Sequence, residues 1–512
     1  MAQAPLIAPD LLSGLAPSAR LALLHHTLGD YSPPPERRIF VNRTLRLEKI
    51  RHAGFDLDWT LADYDRDRMS ALAFEMTLDR LVERFGYDRE ILKAEFRTDF
   101  CRRGLILDTE AGMVLKMNRH RYVGRAYHGR NFLDGQERGQ LYRQEPINPS
   151  SDRFYFVDTL FELPEVNIFS EAVELSKGTR LRLPSYSQLF RDTREAIDSI
   201  HGDGTLKRRI LAELELYLPK DSLVAMALER LAMGGRKLLL ITNSEWFYTN
   251  ALCRRIFEGA LPGLDDWRDL FDLVVVSAGK PGFFKKKRPF VRLDDDGKPQ
   301  GEDETPQWGG VYQGGCREGL MRLLDVPGEQ VLYVGDHIYG DVVSTKLAST
   351  WRTALVVSEL EDELDVRHRL NAQLRHMGVL RSELAELGLQ MDDLKDVLRL
   401  ADTLTGNGEL DGVAAGGDDP LGLHRVRVQL EDMRREHKHM RNHAARLQRR
   451  ISRALNPYWG SLFKQGFNKS LFGSQVDDFA CIYTSRVRNF AHYGSRHYFR
   501  VTSDPMMHEV EI

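Results

Sequence analysis

The sequence predicts a doubly wound α/β fold: a parallel sheet at the centre, a large cap insertion within it, and a helical C-terminal region. Three observations carry this. Short apolar runs recur, each ending in a polar residue or glycine: KIRHAGFDLD (49–58), RKLLLITNS (236–244), LFDLVVVSAGK (270–280), EQVLYVGDH (329–337) and WRTALVVSEL (351–360). Continuous apolar runs of this length read as strands buried on both faces. Amphipathic stretches lie between them, and strand–helix alternation implies a parallel sheet. The alternation breaks off between about residues 66 and 222 and resumes afterwards.

In chain order, residues 1–35 are mildly apolar but lack a basic start and contain Asp10 and Arg20, so they read as an arm rather than a signal peptide. Residues 36–65 hold the first strand. Residues 66–222 are the cap, with helical stretches such as SALAFEMTLDRLVERFG and LFRDTREAIDSIHGDGTLKRRILAELELYL around a loop-rich middle at 125–153. Residues 223–360 complete the core; LVAMALERLAMGG and CREGLMRLLDV are its helices, the first closing on Gly234 and Gly235. Residues 361–512 read as helical and highly charged, with a Gly- and Asp-rich segment at 405–422 expected to be a mobile loop.

Composition excludes several classes. A formal charge of -3 over 512 residues gives no sign of a nucleic-acid or membrane surface. KKKR (285–288) reads as a solvated loop near the site rather than a nucleic-acid patch. No run approaches the ~20 apolar residues of a membrane span. The four cysteines, Cys101, Cys253, Cys316 and Cys481, are scattered, which fits a reducing, cytoplasmic setting better than a disulfide framework or zinc site.

In a doubly wound sheet, ligands bind beyond the carboxyl ends of the strands. The residues there are Asp56 and Asp58, then Thr242, Asn243 and Ser244, then Lys280, then Asp336 and Asp341. Residues two apart in an extended segment share a side, so Asp56 and Asp58 can face one site. Converging carboxylates need a cation, and an all-oxygen set suits Mg²⁺. A lysine and a strand-to-helix turn bearing hydroxyls suit a phosphate. Together these predict phosphoryl transfer, with one carboxylate attacking phosphorus and a second moving the proton.

DLDWT, ITNS, the later lysine and GDHIYGD resemble the four ordered motifs of the haloacid dehalogenase superfamily. FVNRTLRLEKIRHAGFDLDWTLADYD, DRFYFVDTLFELPE, FRDTREAIDSIHGDGTLK, VVVSAGKPGFF and residues 311–360 resemble its cytosolic, IMP/GMP-preferring purine 5′-nucleotidases; SLFGSQVDDFACIYTS is a weaker match. The resemblance implies a haloacid dehalogenase-like core, an aspartyl-phosphate mechanism and Mg²⁺. By position, Asp56 matches the nucleophile and a metal ligand. Asp58 matches the general acid/base and gives its backbone carbonyl to the metal. Asp336 matches the third metal-site carboxylate, and Asp341 the carboxylate that supports the metal's water or Lys280. Thr242, Asn243 and Lys280 match the phosphate-binding residues, and Ser244 extends that loop.

In the cap, Phe161 matches the aromatic that stacks on the purine, and Arg194, Asp198, His201 and Lys207 match the group that contacts base and ribose phosphate. Without the resemblance Phe161 is more often a core residue than a stacker, and Arg194 and Asp198 read as a surface pair spaced i, i+4. Departures fall on the family's nucleotide effector site: Asp158 stands for Asn, Leu347 for Lys, and Asp478 and Phe479 for Arg and Tyr. Altered or absent nucleotide activation is therefore expected, and these changes are read as marks of a bacterial member. Relatives assemble as tetramers, so a homo-oligomer is expected. The classes that stay open are a purine 5′-nucleotidase, with or without phosphotransfer to a nucleoside; a phosphatase for a sugar phosphate or other small phosphoester; and a scaffold working through its helical C-terminal region.

Overall fold

The computed structural model describes residues 33–142, 147–149, 151–178, 181–406 and 422–501. Most of the expected N-terminal arm and of the 405–422 loop lies outside the described residues.

The fold is α/β around a ten-stranded sheet. Seven neighbouring strands run parallel, Val311–Gly314 and Ile482–Thr484 outermost, and the five between them are β1 (His52–Phe55), β2 (Lys237–Ile241), β3 (Leu273–Val276), β4 (Val331–Gly335) and β5 (Arg352–Val356). Their order across the sheet is β5-β4-β1-β2-β3. Every neighbouring pair is parallel, with Gly54 opposite both Tyr333 and Leu239. All four residues of β1 and all five of β4 are buried, which is why they read as unbroken apolar runs. The edges are antiparallel: Phe40–Val41 closes one side, and Phe290–Leu293 with Pro299–Asp303 the other. From β1 the chain runs outward through β2 to β3, then returns to place β4 on the other flank of β1. This reversal of strand order puts a crevice beyond the ends of β1 and β4.

The insertion begins with the helix Arg66–Phe85. Asp65 caps it by accepting from the Arg68 amide at 3.0 Å, and Gly86 ends it at φ 72°. Of the stretch expected to be loop-rich around 125–153, residues 125–142 instead hold regular elements. It carries the strands Val123–His128 and Asn131–Phe132 and the helix Gly135–Tyr142. The strands join Met113–Met117, Ile106–Asp108 and Phe154–Phe156 in an antiparallel sheet of five. Strands of two to six residues with polar members such as GRAYH carry too little alternation to stand out in sequence. Helices Leu163–Gly178, Tyr186–Gly202 and Thr205–Ala212 complete the cap.

The expected helical region over 361–512 divides in two. Residues 363–461 form a separate compact unit. Its helices Asn371–Gly406 and Leu423–Leu455 pair antiparallel, with Arg381 bonded to Gln448 at 2.8 Å and Arg427 to Asp402 at 3.3 Å. Met377, Leu380, Leu384, Leu387, Met391, Leu394, Leu398 and Ala401 recur at alternating steps of three and four along the first helix. Leu430, Met433, His437, Met440, Ala444, Leu447 and Ile451 do the same on the second. That spacing is a coiled-coil seam. Ser461 donates to Glu363 at 2.6 Å, tying the two ends of the unit together. Residues after 461 return to the main unit, where Ile482–Thr484 lies between β5 and Phe40–Val41 in the main sheet. A three-residue strand among helical patterns gave no periodic signal. Among the described residues no helix is long and apolar enough to cross a membrane.

Candidate active site

A cavity of about 250 Å³ opens beyond the carboxyl ends of β1, β2 and β4. Its polar lining includes Asp56, Asp58, Thr242, Asn243, Ser244, Lys280, Asp336 and Asp341. Met69, Phe161, Leu206, Ile210 and Tyr248 also line it, with His201 and Lys207.

Each polar residue is placed by the end of a strand. Asp56 follows β1, and its Oδ1 accepts from the Leu57 amide and from Lys280 Nζ, both at 2.8 Å. Lys280 Nζ also donates to Asp341 Oδ1 at 2.8 Å and Tyr333 Oη at 2.9 Å, which satisfies all three ammonium protons. Tyr333 donates onward to the Ile241 carbonyl at 3.0 Å, so the lysine is anchored to β2 and β4 together. Gly54 leaves room for that ring, since a Cβ there would lie 3.0 Å from Tyr333 Cδ2. Gly335 leaves room for Asp341, whose Oδ2 would stand 2.3 Å from any added Cβ. Asn243 accepts from the Lys280 amide at 2.7 Å and donates to its carbonyl at 3.0 Å, so its side chain clamps the lysine's loop. Thr242 Oγ1 accepts from the Ser244 amide at 3.1 Å and shapes the turn into the helix Trp246–Phe257.

Burial governs the charges. It pushes Asp56 up to about 6, with the Asp341 charge adding and Lys280 opposing. It raises Asp58 against hydroxyl bonds from Ser244 and Tyr64. It also raises Asp336 well above the ordinary carboxylate range, opposed by Arg103. Lys280 stays charged because Asp341 and Asp56 outweigh its desolvation. Ligand oxygens of Asp56, Asp336 and Asp341 lie within 4.8 Å of one another. Asp336 Oδ2 is buried and has no hydrogen-bond partner; Arg103 Nη1, at 3.8 Å, is too far for one. A group of three buried carboxylates, one with an unbonded oxygen, fits a hard dication.

Strand-end carboxylates, a lysine and a hydroxyl-bearing turn are groups that can serve phosphoryl transfer. A model of the 5′ nucleotidase family matches residues 39–511. The chain belongs to the 5′ nucleotidase family. A 5′-nucleotidase domain-containing protein of Dictyostelium discoideum is 28% identical over 471 residues, covering 89% of this chain and 72% of that protein. The crystal structure of CbbY from Rhodobacter sphaeroides in complex with phosphate covers 60% of this chain and 86% of its own. It does so at 15% identity and a TM-score of 0.22, too loose a likeness to carry an argument. As a 5′-nucleotidase the chain is a phosphoric monoester hydrolase.

The cap residues expected at the nucleotidase's substrate end separate into two sets. Phe161, His201 and Lys207 line the cavity. Phe161 meets His201 edge to face at 5.5 Å and Trp59 at 5.9 Å. Lys207 pairs with Glu245 and lies 5.4 Å from the centre of the Tyr248 ring. Arg194 and Asp198 are not brought to the cavity wall. Arg194 turns to Glu162 at 3.1 Å and Glu165 at 3.3 Å, and Asp198 is exposed. Glu165 is buried, and its desolvation raises it well above the ordinary carboxylate range, with the Arg194 charge opposing.

Five side chains at the site went unread in the sequence. Tyr64 reaches Asp58 and Tyr248 reaches Tyr64, Tyr333 holds Lys280, and Arg103 and Glu359 sit behind Asp336. Only Tyr64, six residues beyond Asp58 in DWTLADYD, offered a local signal.

Proposed function

We propose that the chain is a Mg²⁺-dependent nucleotidase that hydrolyses purine nucleoside 5′-monophosphates of the IMP/GMP type through an aspartyl-phosphate on Asp56. The observation that carries this is the mixed lining of one cavity: the carboxylates and Lys280, and the Phe161–His201 ring pair. A phosphate fits the first and a planar base the second. Asp56 and Asp336 would hold the metal with the Asp58 backbone carbonyl, Asp341 would support Lys280, to which its Oδ1 is bonded, and bound Mg²⁺ would neutralise phosphate charge.

Asp56 Oδ1 is occupied by the Leu57 amide and Lys280, so Oδ2 is the atom to attack phosphorus. As the bond from phosphorus to the 5′ oxygen breaks, Asp58 gives its proton to that oxygen. Asp58 then takes a proton from water, whose oxygen displaces Asp56 and releases inorganic phosphate. Lys280 and the Thr242–Ser244 turn hold the phosphoryl oxygens. A nucleoside hydroxyl in place of water would make the same step a phosphotransfer.

A second reading, a phosphatase for a smaller phosphoester, is favoured by the cavity volume of about 250 Å³. That lies just under the ~300 Å³ lower end for ligand pockets. A panel of nucleoside 5′-monophosphates and sugar phosphates, with and without Mg²⁺, separates the two. Release of phosphate from IMP or GMP that needs Mg²⁺ and vanishes in Asp56→Asn supports the first reading. Release from sugar phosphates alone replaces it with the second.

A further inference from the structure

Asp58 is held by a hydroxyl on each oxygen. Tyr64 Oη lies 2.6 Å from Oδ1, and Ser244 Oγ lies 2.6 Å from Oδ2. Tyr64 Oη is in turn 3.0 Å from Tyr248 Oη. Asp58, Tyr64, Ser244 and Tyr248 are all buried. The chain makes a special approach to achieve this. The Leu57 carbonyl accepts from the amides of Thr60, Leu61 and Ala62 in a tight reversal, and Asp58 bridges Ala62. Trp59, at φ 57°, folds over the Tyr64 ring at 5.1 Å between centres. The reversal returns Tyr64 beside the aspartate six positions before it, while Tyr248 arrives from the helix after β2.

A carboxylate rotates in a broad, two-fold well about its last bond. One hydroxyl would leave that rotation loose; separate hydroxyls on the two oxygens stop it. Proton transfer in turn needs heavy atoms within ~2.6–3.2 Å of each other. We propose that Tyr64, braced by Tyr248, is a positioning residue that fixes the Asp58 carboxylate for proton delivery to the leaving oxygen and proton removal from water. This rests on the assignment of Asp58 as acid and base above. Tyr64 itself exchanges no proton. In the first half, the proton passes from Asp58 to the 5′ oxygen as that oxygen keeps the bonding pair from phosphorus. In the second, Asp58 takes a proton as the water oxygen bonds to phosphorus and Asp56 leaves as carboxylate.

Tyr64→Phe removes one oxygen and nothing else. General acid–base catalysis contributes ~10²–10⁴-fold, and loosening its donor forfeits part of that. The expected result is a kcat for nucleoside monophosphate about 10- to 100-fold lower, with KM within about twofold. Tyr248→Phe shows a smaller loss of the same kind and serves should Tyr64→Phe not fold. The leaving group supplies a readout that a packing defect would not give. p-Nitrophenolate departs without a proton, so on p-nitrophenyl phosphate the first half proceeds in Tyr64→Phe and the second limits. A burst of nitrophenolate equal to the enzyme concentration is expected. A kcat in both variants close to wild type overturns the inference. So does the absence of that burst, or a loss that tracks a lowered Tm. Asp56→Asn keeps the two ideas apart: an active Asp56→Asn removes the mechanism, whereas an inactive one beside a normal Tyr64→Phe removes only the role of Tyr64.

Discussion

Replacing Arg103 by Met tests the most deeply buried charge at the site. Arg103 comes from the cap insertion, and its side chain and that of Glu359 are 0% and 1% exposed. Its Nε donates to Glu359 Oε1 at 3.0 Å, its Nη2 donates to Oε2, and its Nη1 donates to the Asp336 carbonyl at 2.7 Å. Burial alone would raise Glu359, but Arg103 outweighs it and holds the carboxyl at about 2 against an ordinary 4.5. At ~1.4 kcal/mol for each tenfold change, that difference represents about 3 kcal/mol of stability. Removing one partner of a buried pair costs ~3–5 kcal/mol, so the two routes agree. The native value lies below the unfolded one. Glu359 therefore contributes fully above pH 4.5, and its contribution fades as pH falls towards 2. Once Arg103 is gone, burial raises Glu359, so the variant's deficit is greatest at neutral pH and shrinks on acidification. Urea unfolding of wild type and Arg103→Met at pH 7 and pH 4.5 measures this. Adding Glu359→Gln should recover most of the loss. A deficit under about 1 kcal/mol, or one that the second substitution leaves in place, would refute the reasoning.

Phe161→Ala should raise KM for a purine monophosphate about 5- to 100-fold, the equivalent of ~1–3 kcal/mol of base–aromatic stacking. Inhibition by inorganic phosphate should be unchanged, and steady-state kinetics with phosphate as competitor checks both. Arg194→Ala should leave KM within about twofold but lower stability by roughly 1–3 kcal/mol, because it strands Glu162 and Glu165; a large rise in KM with normal stability would return Arg194 to the substrate. Burial, aided by the Lys207 charge, holds His201 down at about 4 against 6.5. The unfolded chain thus takes up a proton below pH 6.5 that the native state refuses until pH 4. His201 should cost up to roughly 3 kcal/mol across that window. His201→Gln should flatten the fall in urea midpoint between pH 7 and pH 4.5; an unchanged slope counts against it.

What the sequence showed and what it hid follow from distance along the chain. β1 to β5 were legible because strands buried on both faces leave unbroken apolar runs. The residues just past those runs named the polar lining of the cavity. Hidden were contacts between residues far apart in sequence. Arg103 meets Glu359 across 256 positions, and Tyr64 meets Tyr248 across 184. No spacing rule reaches that far. Arg194 illustrates the opposite error: its helical neighbour Asp198 drew attention, while the carboxylates that hold it lie on a preceding helix 32 and 29 residues back. Asn243 lies where expected, but its side chain spends both its polar atoms on the backbone of Lys280.

The coiled-coil unit bears on how the sheet is completed. β5 and Ile482–Thr484 are sheet neighbours, yet more than a hundred residues separate them. A free chain of that length would close slowly, since the search for a distant partner precedes any reward for finding it. The two long helices shorten the search. Their seam forms from local contacts, and once zipped it brings residue 363 to residue 461 through the Glu363–Ser461 bond. The effective loop between β5 and its last parallel neighbour then shrinks to the short segments on either side. The hairpin thus turns one long-range closure into two shorter ones.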